Sequence, residues 1–219
     1  MKHIKLYNLF KKFESSESSD SNLARRKTYD LCNEYLKGNY VVIKNEVYSD
    51  DILTLKLDLD YIPIKFGEVR TIFINCTEIK SLKNSPRVVT YALNLQSCFS
   101  LKSFEGASEY VGAFIHLGSV EIDNFNGLPK PLKDKYYLTL SFDNKLRNVL
   151  PLFLNSKVEG GRINTGYIEI DSDAIELIDL FNDYDPLRAD GIVLNRLNEF
   201  LNSIGKDSVD KVDGYEILD

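Results

Sequence analysis

The side chains in this sequence that could support nucleophilic or metal chemistry are three cysteines and two histidines. Cys76, Cys98 and His116 lie in one central stretch, whereas Cys32 and His3 lie outside it. An imidazole activates a thiol only when the two groups are within hydrogen-bond reach. Cys98 is expected in the turn after a strand, pointing inward, so we do not predict a Cys98–His116 dyad. The three thiols, without C-x-x-C spacing, are expected to be buried and to bind no zinc.

Familiar catalytic and phosphate-binding motifs are also missing from the sequence. It contains no G-x-S-x-G, H-E-x-x-H or G-x-x-x-x-G-K-[ST]. Aspartates at positions 50–51, 58 and 60, and 171 and 173 could suggest calcium binding or paired carboxylates, but none lies in an EF-hand-type loop. Turns and helix starts explain these aspartates better. We therefore predict no catalytic residue, no metal site and no cofactor.

The composition indicates a substantial hydrophobic core and an acidic balance. Of the 219 residues, 43% are hydrophobic, and 27 basic against 33 acidic residues give a net charge of −6. This excludes global disorder and, without a basic stripe, argues against nucleic-acid binding. No apolar run approaches the ~20 residues that span a bilayer, and no secretory signal opens the chain. We therefore expect a cytoplasmic protein with no membrane partner.

The candidate residues Cys76, Cys98 and His116 sit within an internal repeat at positions 67–153. In the predicted register, Phe73, Leu95, Leu117 and Leu140 recur at spacings of 22, 22 and 23 residues. The shared frame, L-x-L-x-x-(C/N)-x-x-L-x-x-L, is close to the leucine-rich-repeat pattern, and a period in the low twenties is typical of a solenoid. The L-x-L part alternates with period two. We therefore expect four short parallel strands whose leucine-type residues stack into one core.

Helices and strands are also predicted on both sides of the repeats. The segments before them are an amphipathic stretch at 1–14, a polar linker at 15–21, a helix at 23–36, and a hairpin with strands at 40–47 and 52–59 around a turn at 48–51. The segments after them are a strand at 167–170 and helices at 173–184 and 191–204.

Together these elements predict an α/β solenoid: a leucine-rich-repeat-like parallel sheet with an N-terminal helix and hairpin and a C-terminal two-helix cap. A lid of this kind covers the core of the last repeat. The predicted divisions are the N-terminal segment and linker (1–21), the helix and hairpin cap (22–66), four repeats (67–153), and the last strand with the helical cap (154–219).

Several phrases of the sequence resemble a known family. SFEGASEYVG at 103–112 is similar to the "SLEGAPEYVGG" phrase of leucine-rich-repeat-like proteins encoded by large tailed, T4-like bacteriophages, and SLKNSPRVV at 81–89 is a second such match. The opening MKHIKLYNLF and the tail wording LFNDYDPLR also resemble these proteins. The strands depart from the family, whose "CSNN" tract survives only in part. The resemblance implies the architecture and a phage origin, and it carries no catalytic motif.

Two classes of function follow from these observations. The first is a phage-encoded solenoid in the host cytoplasm that captures a host or phage protein, for example to inhibit a host defence. The second is an enzyme with a site outside the repeats, between the hairpin and the N-terminal helix. The lack of a polar cluster favours the first. A further alternative is a virion-packaged internal protein, since the amphipathic start resembles the removable leaders of such proteins.

The partner is expected on the side of the sheet that faces away from the core. In an L-x-L strand, the intervening residues point outward, and here they carry almost no charge. Depletion of charge is typical of the centre of an interface. An alternative is that a terminal helix covers this side. The predicted partner-binding residues are Ile72, Asn94, His116 and Thr139 in one row, and Ile74, Gln96 and Ser141 in the next.

Overall fold

A large, mostly parallel β-sheet organises the chain, which confirms the predicted mixed α/β class. The computed structural model describes residues 19–141, 145–155, 159–160 and 165–218. Its strands are β1 Leu36–Lys37, β2 Val41–Ile43, β3 Glu46–Lys56, β4 Phe66–Asn75, β5 Val88–Asn94, β6 Tyr110–Val111, β7 Phe114–Gly118, β8 Lys130–Pro131, β9 Lys135–Ser141, β10 Glu159–Gly160, β11 Thr165–Asp171, β12 Leu187–Arg188, β13 Gly191–Val193 and β14 Ile217–Leu218. Its helices are α1 Ser19–Tyr35, α2 Leu146–Val149, a 3-10 turn at Leu150–Leu152, α3 Ser172–Tyr184 and α4 Leu194–Ser203.

The order of the longer strands in the sheet follows their order in the chain. Strands β3, β4, β5, β7 and β9 lie side by side and are parallel. Antiparallel pairs flank them, with β1 and β2 on β3 and with β11 on β9. Strands β4, β5, β7 and β9 come from successive copies of the repeat, which is why a period in the low twenties builds a continuous sheet, and β3 of the predicted hairpin extends it.

Apolar residues from each strand meet in rows on one face of the sheet. Leu93 pairs with Ile72 on one side and with Ile115 on the other. The register continues to Leu138 of β9. All four side chains are completely buried. Burying a large aliphatic side chain contributes about 1.5–3 kcal/mol, so such rows supply much of the stability.

Loops after the strands stack in the same way through backbone hydrogen bonds. The Leu82 N–H donates to the Glu105 carbonyl at 3.1 Å, and the Phe104 N–H donates to the Asn126 carbonyl at 2.9 Å. Gly127 has a φ of +77°, and a Cβ there would lie 2.6 Å from the Phe104 oxygen. Glycine is therefore required where one copy approaches the next.

The first copy of the repeat corrects the predicted register by one residue. Ile72 and Ile74 are completely buried, whereas Phe73 is half-buried and pairs with Asn94 on the opposite face. The core position of this copy is thus Ile74, not Phe73. Thr-Ile-Phe-Ile is apolar on both sides of the strand, so alternation did not reveal which side is inside.

The N-terminal elements differ in their boundaries from the prediction. Helix α1 already includes Ser19, so part of the predicted linker is helical. The hairpin turns at Lys44 and Asn45 rather than at 48–51, with φ of +50° and +64°. Two left-handed residues make the turn that matches strand twist, and asparagine tolerates this conformation. The predicted segment at 1–14 lies outside the described residues.

Two helices follow the last long strand, as predicted. Asp171 caps α3 by accepting a hydrogen bond from the Ala174 N–H at 2.8 Å. The second helix starts at Leu194, later than expected, because β13 before it pairs with β14. Phe153, Phe181 and Phe200 pack together with ring centroids 4.9–5.2 Å apart. In the described ranges, no helix is long and apolar enough to cross a bilayer.

Candidate functional site

Two rows of side chains make up the face of the sheet that points away from the core. We call these eight residues the outer face. By strand register, one row is Thr71, Ala92, Phe114 and Tyr137, and the other is Phe73, Asn94, His116 and Thr139. None of these side chains is an acid, a lysine or an arginine, although 27% of the chain is charged. The predicted scarcity of charge on this side is therefore present in the folded protein.

Aromatic rings form a connected cluster on the outer face. Phe114 is central: its ring stacks on His116 with centroids 5.4 Å apart and on Tyr137 at 5.8 Å. Tyr91 meets Phe114 edge-on at 5.7 Å. Val69 pairs with Val89 and Thr71 with Ala92, so β5 has one more residue than β4 between these pairs. This bulge places Tyr91 beside the rows. We call Tyr91, Phe114, His116 and Tyr137 the aromatic cluster.

A cation lies at each end of this cluster. The Arg70 guanidinium is 5.6 Å from the ring centre of Tyr91, and the Lys135 ammonium is 5.9 Å from that of Tyr137. Cation–π contacts of this kind are attractive by about 0.5–1 kcal/mol at exposed sites. Lys135 also pairs with Glu169 at 2.8 Å. The charge of Lys135 is therefore balanced by an acid, whereas the described contact of Arg70 is with a ring.

His116 is held in a defined orientation by its neighbours. Its Nδ1 lies 3.2 Å from the Thr139 hydroxyl oxygen, and that hydroxyl lies 3.3 Å from the Ile115 carbonyl. Since the hydroxyl has one proton and donates it to the carbonyl, it accepts from Nδ1–H. Nε2 then carries a free lone pair. Burial lowers the pKa of His116, which favours this neutral form.

The structure divides the predicted partner-binding residues into three groups. Ile72 and Ile74 are wrong as partner contacts, because both side chains are completely buried in the core. Asn94 and Thr139 belong to the outer face but are 7% and 4% exposed, since larger side chains flank them. The remaining predicted residues are the half-buried His116, the exposed Gln96, and Ser141, whose side chain lies outside the described part.

The largest rings of the site, Tyr91, Phe114 and Tyr137, were not among the predicted contacts. Phe114 and Tyr137 stand two residues before the outward positions His116 and Thr139. Period-two alternation would have placed them on the same side had it been extended backward along each strand. Tyr91 follows from the bulge, which has no clear sequence signal. Strand alternation therefore predicted the polar residues of the outer face but not its aromatic residues.

The residues that border the outer face are exposed. Tyr91 keeps 45% of its surface exposed, and Ile52, which pairs with Thr71, keeps 52%. At the other side, Tyr167 pairs with Thr139 and keeps 42%. Helices α3 and α4 pack around Phe153 and β11 instead. The C-terminal helices therefore do not cover this face, whereas the N-terminal segment at 1–14 lies outside the described residues.

Nucleophilic and metal chemistry find no support in the geometry of the described residues. Cys98 lies in the core, where its thiol is 3.2 Å from the Ile74 carbonyl, whereas His116 is on the opposite face. Burial raises the pKa of Cys98 to about 12, so the thiol is protonated near neutral pH. The described part of the chain also has no group of three or more histidine, cysteine or acidic side chains that could hold a metal ion.

Comparisons with protein-family models, with curated proteins and with solved structures found no match to this chain.

Proposed function

We propose that this protein is a protein-binding module that holds its partner on the outer face of its parallel sheet. The observation that supports this most directly is an aromatic and nearly uncharged face, bordered by the exposed Ile52, Tyr91 and Tyr167, on an otherwise well-charged protein. Interface centres are depleted in charge and enriched in tyrosine, phenylalanine and arginine. Exposed apolar patches of this kind mark interaction sites in soluble domains.

The orientation of the rings favours a protein over a polymer of bases or sugars. Stacking on such ligands requires free ring faces. Here Phe114 uses its faces on His116 and Tyr137. Phe114 therefore has little free ring face left for stacking on such a ligand. Aromatic side chains packed in this way suit contact with apolar side chains from a partner.

We further propose that the sheet and its stacked loops form a leucine-rich-repeat-like solenoid. Strand order that follows the chain and hydrogen bonds between loops of successive copies support this. Under the resemblance to T4-like phage proteins, the partner would be a host or phage protein in the host cytoplasm, with a host-defence protein as one example. Inhibition by occupying a surface of that protein is the corresponding mechanism.

A matched pair of surface substitutions tests this proposal. Tyr91 and Tyr61 are both exposed, at 45% and 53%, but Tyr91 contacts Phe114 of the outer face, whereas Tyr61 lies in the loop before β4. Capture of partners from infected-cell lysate should be lost in Tyr91→Glu and retained in Tyr61→Glu, with unchanged melting temperatures. Equal capture by both variants would show that the outer face is not the binding surface.

A further inference from the structure

We propose that the outer face recognises a partner segment in which a carboxylate lies next to an aromatic or large apolar residue, with the carboxylate bound by Arg70. This inference rests on the proposed function and adds the chemistry of the recognised segment. It follows from the charge at the two ends of the aromatic cluster, from the spacing between them and from the hydrogen-bonding state of His116.

Arg70 is an exposed cation that makes no ion pair with a described carboxylate. Its described contact is the ring of Tyr91 at 5.6 Å, and Glu68, two residues earlier on β4, forms no salt bridge with it. An arginine lying against an aromatic ring is ordered in advance, so it loses less freedom on binding. Its planar group suits the bidentate geometry of a carboxylate. Arg70 therefore presents an ordered anion site beside an apolar surface.

The opposite end of the cluster does not offer such a site. The Lys135 ammonium lies 2.8 Å from a Glu169 carboxylate oxygen, so its charge is already balanced within the protein. An incoming carboxylate there would meet Glu169 as a like charge. The electrostatic asymmetry thus assigns the acidic group of the partner to the Arg70 end and leaves the Lys135 end to neutral groups.

The distance between the ends sets the size of the segment. Arg70 is on β4 and Lys135 on β9, separated by three strand spacings, or ~14 Å at ~4.8 Å each. An extended chain covers this with about four residues. Between the ends lie the ring of Phe114 and the exposed ring of Tyr91. A large apolar side chain placed one or two residues from the carboxylate would pack on these rings.

His116 adds a polar contact near the middle of the face. Its Nδ1 proton is directed to Thr139, so its Nε2 can accept a hydrogen bond. The neighbouring Asn94 is occupied by Gln96, whose N–H donates to the Asn94 side-chain oxygen at 3.1 Å. A partner that donates a backbone or hydroxyl proton to Nε2 would complete the recognition. This arrangement selects a neutral donor at the centre and an anion at the Arg70 end.

Selection from a displayed library of random peptides tests the inference directly. The wild-type protein is the bait, and the peptides obtained are synthesised and measured against three variants: Arg70→Gln, Arg26→Gln and Tyr137→Ala. Arg26 is an exposed arginine on α1 and serves as the matched control. Tyr137 contacts Phe114 and Lys135 but has no described contact with Arg70. Tyr137→Ala therefore tests whether peptides bind the aromatic cluster, independently of the Arg70 site. Thermal melts confirm that each variant is folded.

The expected peptides carry Asp or Glu beside an aromatic or large apolar residue. Arg70→Gln should weaken their binding about tenfold or more, as for a lost charge-assisted hydrogen bond. Arg26→Gln should change it little. Replacing the peptide acid with its amide should cause a similar loss in the wild type and little further loss in Arg70→Gln, which identifies the pair.

Other outcomes separate this inference from the proposed function. Peptides that require Tyr137 but bind Arg70→Gln at full strength would overturn the carboxylate site and leave the outer face as the binding surface. Peptides that are indifferent to both Tyr137 and Arg70 would overturn both proposals. Failure to select any peptide would overturn recognition of a short segment. The lysate experiment with Tyr91→Glu would still test whether the outer face binds a partner.

Discussion

Phe114 and His116 lie on one strand, two residues apart, and their rings are stacked at 5.4 Å with planes only 10° from parallel. The imidazole is thereby packed on a hydrocarbon surface on one side and bound to the Thr139 hydroxyl at its Nδ1. This combination favours a neutral histidine in the centre of an aromatic surface. It also couples the surface to pH.

The pKa of His116 is lowered by burial, which makes the stability of the protein depend on pH in a definite direction. Below the ordinary histidine pKa of ~6.5 the unfolded chain takes up a proton more readily than the folded one, so stability falls as pH falls through this range. Wild type should therefore lose more melting temperature between neutral and mildly acidic pH than His116→Gln. Identical losses in both proteins would show that His116 does not titrate differently on folding.

The register of β4 predicts an unusual order of mutational effects. Ile74 is completely buried, so Ile74→Ala should destabilise the protein by about 2–5 kcal/mol through lost burial and a cavity. Phe73→Ala removes a larger side chain but from the half-buried outer face, and should cost less. Urea unfolding of both variants measures the difference. A larger loss of unfolding free energy for Phe73→Ala would show that the core residue is Phe73, as expected from the sequence.

Close stacking of repeat copies predicts that two left-handed glycines respond differently to alanine. A methyl group added at Gly127 (φ +77°) would lie 2.6 Å from the Phe104 oxygen, whereas one added at Gly205 (φ +72°) would have nothing within 4 Å. Both substitutions carry the backbone penalty of roughly 1 kcal/mol. Gly127→Ala adds a clash with the neighbouring copy, so its melting temperature should fall further. Equal losses would indicate that the loops separate without cost.

Two buried serines form a second matched pair. The Ser85 hydroxyl donates to the Gly106 carbonyl at 3.2 Å, whereas the buried Ser108 hydroxyl has no hydrogen-bond partner among the described residues. Ser85→Ala should cost about 1 kcal/mol, and Ser108→Ala should be neutral or stabilising because it removes an unsatisfied polar group. Chemical denaturation of the two variants tests this. Destabilisation by Ser108→Ala would mean that this hydroxyl is satisfied in solution.

Much of the architecture could be predicted from the sequence because it depends on local periodicity. Leu95, Leu117 and Leu140 recur at nearly constant spacing, and all three are completely buried. Helix α3 was also predictable, since its apolar spacing and an acidic first turn specify it within a few residues. The scarcity of charge on the outer face was visible for the same reason, because period two identifies which residues share a side.

The position of β4 and the composition of the site were decided by tertiary structure. Around Phe73 both sides of the strand are apolar, so pairing with β3 and β5, and not alternation, determines that Ile72 and Ile74 are inside. Tyr91 reaches Phe114 only because a bulge in β5 shifts the chain by one residue. Such contacts depend on the register between strands about 20 residues apart. That register minimises the free energy of the whole sheet, and no short stretch of sequence specifies it.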